Sequence, residues 1–367
     1  MHKFAFGAVS SWTENRPTVS ANYSNSVPLN KQLDIIQHEM GGNAVRIGVN
    51  TTNSGSADKP GYGMLQAAVE QVLAETVARN MRLIILLIDQ SHQFMGDAWR
   101  NNDIDLGLTQ SELDALLPQA EMSGYNMTAG FLNLNNTLLN NGLHVLELGN
   151  EPELFRNIQK DNTSGVNQSH FWPQKVAVTK AYFKGMHDAA KALRPNLKIS
   201  TPASMGWCPV WLYSQYLSVM PNVDYISWHW YDEMERNMDR GNWPDGLYGS
   251  IFEYLYAKWG KRIIISECNA RGIGFNNAND GPESGDLHQD KQVAFFSSFL
   301  PKAVASGHVD IITTYKLLSE PYQTNSIEST FGVNYFPGID TSIPPAQQNF
   351  SNIVPKKVMK LFKYLTR

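Results

Sequence analysis

Short apolar runs alternate along the whole chain with longer stretches in which apolar residues recur every three to four positions. The runs predict strands at Lys3–Val9, Asn43–Val49, Met81–Ile88, Leu143–Gly149, Leu197–Pro202, Val223–Trp230, Lys261–Ser266 and Val309–Tyr315. The periodic stretches predict helices at Leu29–Met40, Met64–Asn80, Thr128–Asn140, Gln174–Leu193, Val210–Met220, Leu247–Trp259, Asp286–Ala305 and Val354–Leu365. Most of the strands are continuous hydrophobics, as expected when both faces of a parallel sheet are buried. Eight strand–helix units in one unbroken series point to an α/β protein with a (β/α)8 TIM barrel as a single domain over residues 1–367. A doubly wound open sheet is the alternative, but it gives no reason for eight units and the sequence lacks a Gly-rich phosphate loop.

Such barrels keep their chemistry at the C-terminal ends of the strands. This position selects Ser10–Trp12, Asn50, His92, Asn150–Glu151, Ser204–Trp207, His229, Tyr231, Glu267 and Tyr315–Lys316. Two glutamates, Glu151 and Glu267, each follow an apolar strand, and two rigidly held carboxyl groups are the minimum equipment for cutting a glycosidic bond. One must protonate the leaving oxygen while the other attacks the anomeric carbon. Strand alternation puts Glu147, Gly149 and Glu151 on one side, with Leu146 and Leu148 facing the helices. Glu147 would then be a buried charge and needs a partner, for which Arg46 on the second strand is the candidate, and Arg46 could also reach toward Glu151 or a neighbouring group. His229 and Tyr231 share a side of the sixth strand and are expected beside Glu267. The plainer reading of His229 is a packed core histidine, and the direction of His92 is left open.

Composition narrows the partners. Of 367 residues 42% are hydrophobic and 17% charged, and the net charge is −4, which suits a large core. With no basic run, nucleic acid and anionic membrane are not expected to bind. No apolar stretch is long enough to span a bilayer, and Met1–Val9 lacks a full signal peptide. The compartment therefore stays open between cytoplasm and a secreted form without its leader. Cys208 and Cys268 offer neither a disulfide framework nor metal spacing, and no metal or other cofactor is expected. The chain is expected to act as a monomer.

Asn150-Glu151-Pro152 at the fourth strand end, a glutamate at the seventh and His229-Trp230-Tyr231 at the sixth resemble clan A of the retaining glycoside hydrolases. Asn43-Ala-Val-Arg46-Ile resembles the second strand of family 5. Leu146-Glu-Leu-Gly-Asn-Glu-Pro-Glu-Leu154 with Ile226-Ser-Trp-His-Trp-Tyr231 is similar to families 39 and 79. The resemblance implies Glu151 as acid/base, Glu267 as nucleophile and Asn150 as donor to the sugar 2-hydroxyl. It also implies that His229 and Tyr231 support the nucleophile and its subsite, and that Arg46 steadies the carboxylates. The eighth strand departs from the pattern, with Thr313-Thr-Tyr-Lys316 in place of a platform tryptophan, and no β-sandwich accompanies the barrel. Trp12, Trp99, Trp207, Trp243 and Tyr322 fall in loops above the strands and are candidate platforms for sugar rings, whereas Trp211, Trp228 and Trp259 read as core. Two long loops, Asp89–Tyr125 and Leu317–Asn352, are expected to wall the cleft. A neutral β-linked oligo- or polysaccharide is the expected substrate, although Arg100, Lys316 or Arg271 could hold one carboxylate. The rival functions are an inert carbohydrate-binding barrel, which should have lost one glutamate, and a sugar-phosphate lyase, aldolase or isomerase, which would want a phosphate loop and a catalytic lysine or metal.

Overall fold

Strand residues buried on both faces dominate the centre of the protein: every residue of the run Tyr225–Tyr231 is buried, as are seven of the eight in Arg262–Asn269. The computed structural model describes residues 5–9, 27–49, 62–88, 103–155, 157–205, 210–232, 249–270, 286–319, 331–337, 342 and 352–365. Its strands are β1 Ala5–Val9, β2 Ala44–Val49, β3 Arg82–Leu87, β4 His144–Glu147, β5 Lys198–Ser200, β6 Ser204–Met205, β7 Tyr225–Tyr231, β8 Arg262–Asn269 and β9 Val309–Thr314. They hydrogen-bond in the order β5-β4-β3-β2-β1-β9-β8-β7-β6, and β5 pairs with β7 as well. The described pairings in this sheet are parallel. Because β5 has a partner on both sides, the sheet closes on itself, and the fold is the expected (β/α)8 barrel.

Nine segments fill eight positions because the fifth strand is broken. The sequence reading ran it from Leu197 to Pro202, but proline has no N–H for the ladder. The strand stops at Ser200 and resumes as β6, and both pieces pair with β7. The helices are α1 Leu29–Asp34, continued by a π-helical turn Ile35–Glu39, α2 Tyr62–Ala78, α3 Gln110–Leu134, the single turn α4 Pro152–Phe155, α5 Pro173–Leu193, α6 Val210–Val219, α7 Ile251–Trp259, α8 Asp286–Ser306 and α9 Val358–Leu365. Among the described residues no helix is long and apolar enough to cross a membrane.

The expected helix Thr128–Asn140, with residues up to Tyr125 as loop, is corrected. The helix α3 starts at Gln110, where Thr109 Oγ1 accepts from the Glu112 amide at 3.3 Å and Glu112 Oε2 accepts from the Thr109 amide at 2.8 Å. This capping box satisfies donors that the first turn leaves open. Pro118 lies inside the helix and is exposed, so the carbonyl left without a helical donor can meet solvent.

Contacts cluster into two units. The first is Met1–Ile47, Glu75–Ile84 and Trp230–Arg367. Its aromatic core includes Phe362 against Phe6 and against Phe296, with ring centroids 4.8 Å apart in both pairs. The second is Gly48–Ala74 and Ile85–His229. There α3 lies against α5 at a crossing made by Gly124 and Gly185, where a Cβ on either residue would run into the other helix's backbone carbonyls at Tyr182 or Glu121. Trp228 is fully buried in this unit, while Trp211 is half-buried and stacks on Phe171.

Candidate active site

Glu267 is placed by an irregularity in β8. Against β9, Ile265 pairs with Ile312 and Cys268 with Thr314, so β8 spends one residue more than its neighbour over this step. Such a bulge re-aims the side chains it contains. The carboxylate that results is only 7% exposed, and both of its oxygens are engaged. Arg46 Nη1 donates to Oε1 at 2.6 Å and the Tyr231 hydroxyl donates to Oε2 at 2.6 Å. Arg46 and Tyr231 are themselves buried, so the charge facing Glu267 is a guanidinium little screened by water. The Tyr231 ring packs on Tyr315 and Phe331, with centroids at 6.3 and 5.5 Å. Tyr315 is joined to Lys316 by a cis peptide bond, and the Lys316 ammonium lies 4.8 Å from the Tyr315 ring centroid. Next in sequence, Cys268 turns its thiol to the Thr313 carbonyl at 3.6 Å. Burial first, and then the charge of Glu267, push that thiol's pKa well up, which removes it as a nucleophile.

Glu151 is placed differently. β4 ends at Glu147, so strand alternation does not carry its side chain. Gly149 sits at φ 123° and Glu151 at φ 44°, in left-handed space that a glutamate rarely adopts. The backbone is held there by Ala203, whose amide donates to the Gly149 carbonyl at 3.0 Å and whose carbonyl accepts from the Glu151 amide at 2.8 Å. The resulting turn presents the Glu151 carboxyl, 7% exposed, to His229, with Oε1 and Nδ1 2.5 Å apart. Asn150 is half-buried and bridges to Ala203.

The described bonds give Arg46 to Glu267, while Glu147, fully buried, accepts from the Ser227 hydroxyl. His229 is hydrogen-bonded to Glu151, and Tyr231 to Glu267. Trp12, His92 and Trp207 lie outside the described residues, as do Asn50, Trp99, Arg100, Trp243, Arg271 and Tyr322. The sequence reading passed over Glu153, buried on α4, which accepts from the Ser204 hydroxyl at 2.9 Å. Its signal was available: it is the second glutamate of the Asn150-Glu151-Pro152-Glu153 run.

No family model and no curated protein matches the sequence. Solved structures do match the fold. The β-glycosidase from the hyperthermophile Thermosphaera aggregans aligns with a TM-score of 0.60 at 12% identity over 100% of this chain and 97% of its own. An exo-β-1,4-mannosidase from Opitutaceae bacterium strain TAV5 aligns with a TM-score of 0.58 at 13% identity, and all of this chain spans 60% of that protein's length. Fungal β-1,4-galactanase aligns with a TM-score of 0.51 at 14% identity over 90% of both chains. Likeness at such identity speaks for the fold, and it is one glycoside-cleaving enzymes share. The chain therefore shares the (β/α)8 barrel fold of these solved structures.

Proposed function

We propose that this protein is a retaining glycoside hydrolase that cleaves β-glycosidic bonds in a neutral oligo- or polysaccharide by double displacement. The observation that carries the reading is the unequal dressing of the two strand-end glutamates. Glu267 faces a guanidinium and a phenol, each 2.6 Å away, which is the setting of a carboxylate kept ready to attack. Glu151 meets an imidazole nitrogen at 2.5 Å, a partner that can give or take a proton as the carboxyl changes state.

In the first half of the reaction a Glu267 oxygen bonds to the anomeric carbon as the glycosidic C–O bond breaks, and the Glu151 proton passes to the departing oxygen. In the second half water attacks that carbon, its proton returns to Glu151, and the ester C–O bond breaks to restore the Glu267 carboxylate. Tyr231 and Arg46 hold the nucleophile's oxygens, and Asn150 is assigned the sugar 2-hydroxyl. The mechanism requires the two carboxyl groups to stand about 5–5.5 Å apart in the working enzyme. Positioned proton transfer contributes about 10²–10⁴-fold.

Assay against a panel of aryl β-glycosides and neutral β-glycans tests the proposal. Glu267→Gln should abolish turnover on every substrate, whereas Glu151→Gln should spare substrates with activated leaving groups. Full activity of either variant on a natural glycan would end it.

A further inference from the structure

We infer that Ser204 and Glu153 are positioning residues for the acid/base: their hydrogen bond locks the turn that carries Glu151 onto β6, and so aims its carboxyl at His229. The inference rests on the proposed acid/base role of Glu151.

The turn needs a lock. A non-glycine residue in left-handed space is strained and persists only where its surroundings enforce it. Two backbone bonds to Ala203 enforce it on one side, at 2.8 and 3.0 Å, and the Leu154 amide donates to the Glu151 carbonyl at 3.0 Å on the other. Two residues past Glu151, the Glu153 carboxyl takes the hydroxyl of Ser204, the residue that follows Ala203, at 2.9 Å. Ser204 and Glu153 are 2% and 3% exposed, so water competes little for this bond. Segment 149–153 is thus joined to segment 203–204 by backbone at its start and by side chains at its end.

The other half of the aim is register. Ser204 pairs with Trp228 and Met205 with His229, so β6 carries the turn on one edge and the histidine strand on the other. Beside the break before β6 the Tyr213 hydroxyl lies between the Pro202 carbonyl, at 2.8 Å, and the still closer Ser227 carbonyl of β7, so it can donate to either. Burial above all, with Glu153 and Glu147 adding to it, raises the pKa of Tyr213 well above that of an ordinary phenol, which keeps the phenol a donor. The turn, the break and the histidine strand therefore meet at residues 202–204. Ser204 touches no reacting atom in this scheme and acts through Glu151.

A merely structural role would lower activity alike on all substrates, whereas misaimed proton delivery matters only where the leaving group needs a proton. The test compares kcat/KM for dinitrophenyl, nitrophenyl and phenyl β-glycosides of the sugar that the wild type hydrolyses, in wild type, Ser204→Ala, Ser204→Thr and Glu151→Gln. Ser204→Ala should lose about 10–100-fold on the phenyl glycoside while staying within about threefold on the dinitrophenyl one. Ser204→Thr, which keeps the hydroxyl, should restore the phenyl activity. Should Ser204→Ala fail to fold, Glu153→Gln, which weakens the same bond without removing atoms, is read in the same way. A uniform loss across leaving groups, or none, overturns the inference. If Glu151→Gln discriminates between leaving groups and Ser204→Ala does not, the inference alone falls; if Glu151→Gln fails to discriminate, the acid assignment falls and the inference with it.

Discussion

Replacing Arg46 by methionine removes the cation that faces Glu267 and keeps much of the side-chain volume. The pair is buried, with side chains 3% and 9% exposed and a donor–acceptor distance of 2.6 Å. Breaking such a pair from one side costs about 3–5 kcal/mol, because the remaining charge keeps its desolvation penalty and loses its compensation. Tyr231 would still donate to Oε2, but a neutral donor offsets only part of that cost. Arg46→Met with Glu267→Gln removes both charges of the pair, so neither is left buried without the other. The double variant should therefore be less destabilised than the sum of the single ones by about 2–3 kcal/mol. Equilibrium denaturation in urea of the four proteins measures the coupling, and aryl glycoside assays of Arg46→Met should show kcat falling with stability accounted for. Additivity within about 0.5 kcal/mol would refute the reasoning, since it would mean that the guanidinium does not sustain the Glu267 charge.

Three further outcomes follow. Tyr231→Phe deletes the donor to Glu267 Oε2 while keeping the ring, and should lower kcat/KM by about 10–100-fold, the worth of one hydrogen bond to a charged group of about 1.5–3 kcal/mol; an unchanged rate would remove Tyr231 from the site. His144 on β4 is buried, which depresses its pKa from 6.5 to about 4, and its Nδ1 accepts from the Asn140 amide at 2.8 Å. Between those two pH values the unfolded chain binds the proton and the folded one does not, so stability should drop by about 3 kcal/mol as pH falls from 6.5 to 4 and level off below. His144→Gln, which keeps an acceptor without the titration, should flatten that part of a plot of Tm against pH; an identical slope would assign the acid limb elsewhere. Thr109→Ala removes the cap of α3 and should cost about 1 kcal/mol in thermal unfolding, with activity intact; a loss of activity at full stability would contradict a purely structural cap.

Much of the barrel was legible because both-face burial writes strands as unbroken apolar runs, and the order of elements then left little choice of topology. What escaped was local and backbone-driven. The bulge before Cys268 depends on ladder pairing between strands, which no single segment records, whereas the break near Pro202 was signalled by the proline itself. The start of α3 was written in the Thr109-x-x-Glu112 spacing, although the segment was expected to be loop. Strand alternation was expected to aim Glu151, and a left-handed turn does so instead. Arg46 and His229 were expected as partners of carboxylates, and the described bonds join them to Glu267 and Glu151.

The central claim is that Glu267 attacks the sugar while Glu151 handles the proton, and azide can report which residue does which. A small anion fills the space left when either carboxyl is cut back to glycine, and it must bond to the sugar from the face that carboxyl occupied. With a dinitrophenyl β-glycoside that the wild type hydrolyses, Glu267→Gly with azide should release the α-glycosyl azide and Glu151→Gly with azide the β-glycosyl azide, as read by proton NMR. A β-azide from Glu267→Gly would contradict the account.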